Sequence, residues 1–102
     1  MGIRHWILAG SAFVACAAVA APALAADAKG EITIAAQHAS LAAQANDLAG
    51  VKMHLHHTLN CLEGPKGADF SKTDLNPCAQ AGNGAIPDST NPTTTATLQA
   101  IK

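Results

Sequence analysis

Two cysteines, Cys61 and Cys78, constrain most strongly what this chain of 102 residues can fold into. They are the only cysteines after an apolar N-terminal leader, and an even number in a small exported chain predicts a disulfide. Such a bridge closes a loop of roughly 17 residues and stabilises the fold by about 3 kcal/mol in the chain-entropy model. The alternative is a pair of free thiolates in a metal site, which an oxidising compartment disfavours.

The leader has the pattern of a secretory signal peptide. A short polar region precedes an apolar stretch at residues 6–19, and Ala23-Leu24-Ala25 forms a small-x-small cleavage site. We therefore predict that residues 1–25 are removed on export and that the mature protein is periplasmic or secreted. Two alternatives stay open, an uncleaved anchor helix and a lipoprotein modified at Cys16. The apolar stretch is shorter than the about 20 residues of a membrane span, so we expect no stable membrane insertion after cleavage.

The remaining residues, 26–102, are enough for a single small domain. They contain all seven acidic residues and all but one of the six basic residues, so their net charge is about −2. Phe70 is their only aromatic residue, and they have neither the basic patch nor the stacking side chains of a nucleic-acid-binding protein. The Gly82-Asn83-Gly84 segment resembles a turn. The sequence contains no phosphate-binding motif, so we predict no nucleotide site.

Residues 31–62 are rich in good helix formers, and their leucines recur at helical spacing. The apolar stripe consists of Leu41, Ala45, Leu48, Leu55, Leu59 and Leu62. Asn46-Asp47 and Gly50 interrupt this pattern and leave two arrangements open. The favoured one is a single long or gently kinked helix, and the other is a pair of helices with a turn near residues 46–50, with Asp47 capping the second helix.

Gly64 and Pro65 end this helical region, and residues 64–90 show no sustained hydrophobic period. Asn91 and Pro92 are typical of a helix N-cap and first position, and they predict a last helix from Pro92 to about Ile101. The fold class we predict is therefore all-α: one long or kinked helix, or a helical hairpin, plus a short C-terminal helix, joined by a disulfide-stapled loop. Residues 26–102 form one small helical domain with a loop at 64–90.

A histidine cluster is the candidate functional site. His54 and His57 are neighbours on one helix face, and Met53 adds a thioether one turn from His57. His56 and His38 lie on another face, and on one straight helix they are too far apart to share an ion with each other. They could meet only if the chain folds back near Gly50, or across two molecules. Imidazole and sulfur ligands suit copper, zinc or nickel, so we predict a metal site in this cluster.

A plainer interpretation stays open beside the metal site. On a continuous helix the His54–His57 face lies opposite the leucine stripe, so it would face solvent without a function. The protein would then be a structural or interaction protein that associates with itself through the stripe, most simply as a homodimer. A third option is a redox-linked or proton-linked sensor that uses the same histidines.

Enzymatic activity is not expected. Cys61 follows His57 by one helical turn, but an oxidised cysteine is not a nucleophile and no residue is available to orient His57. A haem attachment motif and a paired-carboxylate arrangement are also missing from the sequence. We therefore predict a binding protein rather than an enzyme.

Three segments carry a resemblance to known proteins. They are His54-Leu55-His56-His57-Thr58-Leu59-Asn60-Cys61-Leu62-Glu63-Gly64-Pro65 and the later Asn76-Pro77-Cys78 and Gly82-Asn83-Gly84-Ala85. This pattern is similar to that of a group of small exported bacterial proteins of unassigned role, and its segments lie between His54 and Ala85. The resemblance implies one co-occurring module and implies no particular chemistry.

Overall fold

The computed structural model describes residues 26–102, and the predicted leader, its cleavage site and Cys16 lie outside them. The fold has four α-helices: α1 (Ala28–Gln44), α2 (Leu48–Glu63), α3 (Ala85–Asp88) and α4 (Pro92–Ile101). No strand occurs between residues 26 and 102, which confirms the all-α prediction for this part of the chain. Within the same residues, none of the helices is both long enough and apolar enough to cross a membrane.

Helices α1 and α2 form an antiparallel hairpin, which is the second of the two arrangements that the sequence left open. The chain turns between Gln44 and Leu48, because Asp47 caps α2 and its side chain accepts a hydrogen bond of 2.7 Å from the amide of Gly50. The amide of Ala45 bonds back to the carbonyl of Ala42 and ends α1. The favoured single long helix is therefore replaced by two helices of similar length.

The face that packs between these two helices differs from the predicted one. Ala35 and Ala42 of α1 are buried, whereas Leu41, Leu48 and Leu55 of the predicted stripe remain exposed. The stripe was derived for a continuous helix, and the turn at Asp47 breaks that register. The buried positions of α1 are therefore occupied largely by alanine, and of the predicted stripe only Leu62 is buried.

A disulfide between Cys61 and Cys78 joins the end of α2 to the following loop, as predicted. Asn60, fully buried, orders the same loop, since its side-chain oxygen accepts a bond of 2.8 Å from the amide of Ser71. Its NH₂ group faces three loop carbonyls, those of Ser71, Asp74 and Leu75. The loop therefore has both a covalent and a hydrogen-bonded attachment to α2.

The loop at 64–90 returns to the end of α2 through a close backbone crossing. Gly64 has φ 69°, and a Cβ there would overlap the carbonyl of Asn83. Only glycine fits this conformation and this approach without strain. The loop also contains the short helix α3, which the sequence did not predict.

Helix α4 has the predicted bounds, with Asn91 as its N-cap and Pro92 as its first residue. Leu98 is buried in the core, which is otherwise made of Ala35, Cys61, Leu62, Cys78 and Ala85. After α4, the Lys102 amine donates to the Glu63 carboxylate at 2.6 Å and lies 3.4 Å from that of Asp69. This pairing attaches the last residue to the end of α2.

One carboxyl group, that of Glu31 in α1, lies fully inside the fold. Its Oε1 accepts a hydrogen bond of 2.7 Å from the amide of Gly84, while Oε2 is buried without a hydrogen-bond partner among the described residues. Burial, and next the nearby Asp88 carboxylate, raise the pKa of Glu31 from 4.5 to about 7, against the lowering effect of the Gly84 bond. Glu31 is therefore largely protonated in the folded protein below neutral pH.

Candidate metal centre

Three histidines from two helices meet at the interface of the hairpin. His38 is on α1, and His54 and His57 lie one turn apart on α2. The Nδ1 atom of His38 is 3.4 Å from Nδ1 of His54 and 3.3 Å from Nδ1 of His57. One nitrogen from each of the three rings lies within 4.8 Å of the others, a grouping that could hold a metal ion.

The hairpin is what brings His38 to the other two histidines. His38 and His57 are 19 positions apart in the chain, and the antiparallel return of α2 places them side by side. On α1, His38 continues the inward-facing series of Glu31, Ala35 and Ala42, which has helical spacing. Beside the cluster, the Thr58 hydroxyl bonds to the His54 carbonyl at 2.9 Å and lies 3.4 Å from the carbonyl of Ala35 on α1.

The cluster has a buried side and a more open side. His57 is buried, with only 8 % of its surface exposed, whereas His38 and His54 are half-buried. The ring of His57 stands edge-on to both others, at 83° to His38 and 88° to His54. The expectation of a solvent-facing histidine face is therefore wrong for His57, because the hairpin covers that side of α2.

The surroundings favour the neutral imidazole at His38 and at His57. Burial, followed by the positive charges that His57 and His54 would carry, lowers the pKa of His38 below its usual 6.5. Burial also lowers the pKa of His57, with a further lowering by His54 that the Asp74 carboxylate partly offsets. Neutral imidazole is the form that ligates a metal.

His56 and Met53, the other two predicted ligands, take different positions. Nδ1 of His56 is 3.9 Å from a carboxylate oxygen of Asp74, and its side chain is 47 % exposed. Met53 is also exposed. The structure thus brings together His38, His54 and His57, and it turns His56 towards the loop.

The burial of two polar residues, Glu31 and Asn60, was not predicted from the sequence. Each is a polar residue in a helix, and such residues are usually exposed. A signal did exist for Glu31, since it shares the spacing of Ala35, His38 and Ala42 on one face of α1. For Asn60 the only signal was its position next to Cys61.

Comparison with protein-family models, with curated proteins and with solved structures gives no match. The resemblance to small exported bacterial proteins therefore stays a prediction.

Proposed function

We propose that this protein binds a transition-metal ion through Nδ1 of His38, His54 and His57, with Zn(II) the ion that suits the site best. The observation that carries the proposal is the convergence of the three Nδ1 atoms from two helices. Its role is that of a binding protein rather than an enzyme.

The distances between the nitrogens support tetrahedral coordination. At a Zn–N bond of about 2.0–2.1 Å, two nitrogens of a tetrahedron are roughly 3.3–3.4 Å apart. The two Nδ1 separations at His38 are 3.4 and 3.3 Å. A square arrangement, as for Cu(II) or Ni(II), would place neighbouring nitrogens about 2.9 Å apart at similar bond lengths. These two separations, both measured from His38, are nearer to the tetrahedral value, and for this reason we propose Zn(II), and next Cu(I), ahead of Cu(II) and Ni(II).

The hydrogen-bonding capacity of the three rings also supports a cation. A neutral imidazole nitrogen is either a donor or an acceptor, and Nδ1 of His38 lies within 3.4 Å of Nδ1 on both other rings. One lone pair or one proton at His38 would have to serve two partners, which is a poor arrangement. A metal ion among them would let all three lone pairs point at one positive charge.

We also propose that the protein works outside the cytoplasm, in the periplasm or as a secreted protein. The disulfide supports this, because disulfides persist in oxidising compartments. The signal-peptide pattern of residues 1–25 supports it independently.

Isothermal titration of the wild type with Zn(II), and of the variants His38→Ala, His57→Ala and His56→Ala, tests the metal site. We expect one ion per chain and about 100-fold loss of affinity, or ~2.7 kcal/mol, in both His38→Ala and His57→Ala. His56→Ala is the matched control, since it removes a neighbouring imidazole outside the cluster. Equal losses in all three variants would show that Zn(II) binds loosely to a histidine-rich surface and would refute the proposal.

The exposed leucines favour a second candidate function, self-association. Leu48 is 65 % exposed, and Leu41 and Leu55 are exposed as well. Burying such side chains between two copies would favour a homodimer. Sedimentation equilibrium of the wild type and of a Leu41→Gln/Leu48→Gln variant tests this, and a wild-type monomer at high concentration would exclude it.

A further inference from the structure

We infer that a metal ion bound by His38, His54 and His57 keeps one coordination position open, and that this position takes an exchangeable monodentate donor. Water would fill it at rest, and an anionic or imidazole-type donor could replace the water. The inference rests on the proposed function, because it assigns the fourth ligand of the same ion.

The described part of the chain brings three imidazole nitrogens to the centre. Three other potential ligands, a cysteine, a histidine and a carboxylate, have partners of their own. Among residues 26–102, the group of histidine, cysteine and carboxylate side chains that could hold an ion contains only the three histidines. Cys61, one turn after His57, is bonded to Cys78 and cannot ligate. His56 is directed towards Asp74. The Asp74 carboxylate in turn accepts a hydrogen bond from the Ser71 hydroxyl.

The burial of the three rings leaves one side of the centre accessible. His57 is buried and forms the inner side, while His38 and His54 are half-buried. In tetrahedral coordination, the fourth vertex lies on the far side of the ion from the plane of the other three ligand atoms. Structural zinc sites fill all four positions with protein ligands, whereas sites with three protein ligands leave the fourth for solvent or substrate. The three-nitrogen set belongs to the second type.

An open position determines how the ion enters and leaves. A donor atom from a chelator or from another protein can bind the ion at the fourth position before any histidine dissociates from it. Release then proceeds by stepwise ligand exchange and does not need the hairpin to open. A site of this kind suits the capture and transfer of an ion better than its permanent retention.

Visible spectroscopy of the Co(II)-loaded protein tests the inference. Co(II) prefers similar ligands to Zn(II), and its absorption bands report coordination number and ligand type. We expect one Co(II) per chain with a four-coordinate spectrum, and a saturable shift of these bands when azide or imidazole is added. His56→Ala and Met53→Leu should keep both the initial spectrum and the shift, because neither side chain supplies the fourth ligand.

Two outcomes would overturn the inference and leave the proposed function intact. One is a Co(II) spectrum that azide and imidazole do not alter. The other is a changed initial spectrum in His56→Ala or Met53→Leu, which would identify a fourth protein ligand. If wild-type protein binds no Co(II) and no Zn(II), the proposed function fails together with the inference. As a second measurement, the rate of Zn(II) removal should rise in proportion to the concentration of a coloured chelator, and a rate independent of that concentration would contradict an open position.

Discussion

Replacing Glu31 with glutamine should stabilise this protein at alkaline pH. The Gly84 amide donates to Oε1 of Glu31 at 2.7 Å, and the carbonyl oxygen of the introduced glutamine can accept the same bond. Oε2, which is buried without a hydrogen-bond partner among residues 26–102, becomes an NH₂ group that can donate to the neighbouring Asp88 carboxylate. The substitution therefore keeps the shape of the side chain and removes the cost of burying its negative charge.

The magnitude follows from the pKa of Glu31, which burial and Asp88 raise from 4.5 to about 7. Between these two values the folded protein holds a proton that the unfolded chain has lost, so the free energy of unfolding falls as pH rises. Above pH 7 the full shift corresponds to at most about 3 kcal/mol. We expect about 1–2 kcal/mol, because Asp88 is partly exposed and water screens its contribution.

Urea denaturation of the disulfide-intact protein, followed by far-ultraviolet circular dichroism, measures the effect. The stability of Glu31→Gln relative to wild type should rise between pH 5 and pH 8, and the variant should be the more stable protein at pH 8. The lowered pKa values of His38 and His57 affect both proteins equally and cancel in this difference. Glu63→Gln is the matched control, since the same chemical change there breaks the 2.6 Å pair with Lys102 and should destabilise the fold. If Glu31→Gln follows the pH dependence of the wild type, the carboxyl is not protonated in the fold and the reasoning fails.

Four further predictions concern the loop, the export of the chain and the metal site. Replacing both Cys61 and Cys78 with serine should cost about 3 kcal/mol, measured by thermal melting with and without a reductant, and an unchanged melting temperature would show that the bridge contributes nothing. Asn60→Asp, which removes the NH₂ donors to three loop carbonyls, should cost about 2 kcal/mol and speed amide exchange in the loop, whereas unchanged exchange would contradict its ordering role. Intact mass of exported protein should correspond to a chain that begins at Ala26 with two hydrogens fewer than the dithiol form. Zn(II) affinity should fall on acidification, since each bound imidazole must lose its proton, and a pH-independent isotherm would argue against histidine ligation.

The elements with strong local signals were predictable from the sequence. Asn91 and Pro92 marked the start of α4, and Gly64 marked the end of α2 within a residue. The bridge between Cys61 and Cys78 was predictable, because the domain is small and the leader indicates export. The helix ends depend on residues that are close in the sequence, and the bridge depends on the disulfide bond that paired cysteines form.

The inward face of the hairpin could not be predicted in the same way. Alanine has little hydrophobic contrast, so the series of Ala35 and Ala42 was masked by the leucines on other faces. Whether Asp47 caps a new helix or lies within a long one depends on the free energy of packing α1 against α2, which no local pattern contains. His38 lies near His57 only if the chain turns between them. Predicting the full set of ligands therefore required predicting the turn.

The position of the three imidazoles along the chain has a consequence for the order of folding events. Because all three lie within the hairpin and His38 is 19 positions from His57, the contacts that build the centre are local and the entropy lost on closing the hairpin is small. Local contacts of this kind form in microseconds, whereas a disulfide takes seconds or longer to form. In the exported chain that we propose, the histidine cluster would therefore form while Cys78 is still reduced. A metal ion would then meet a complete set of three histidine ligands before the covalent crosslink has formed.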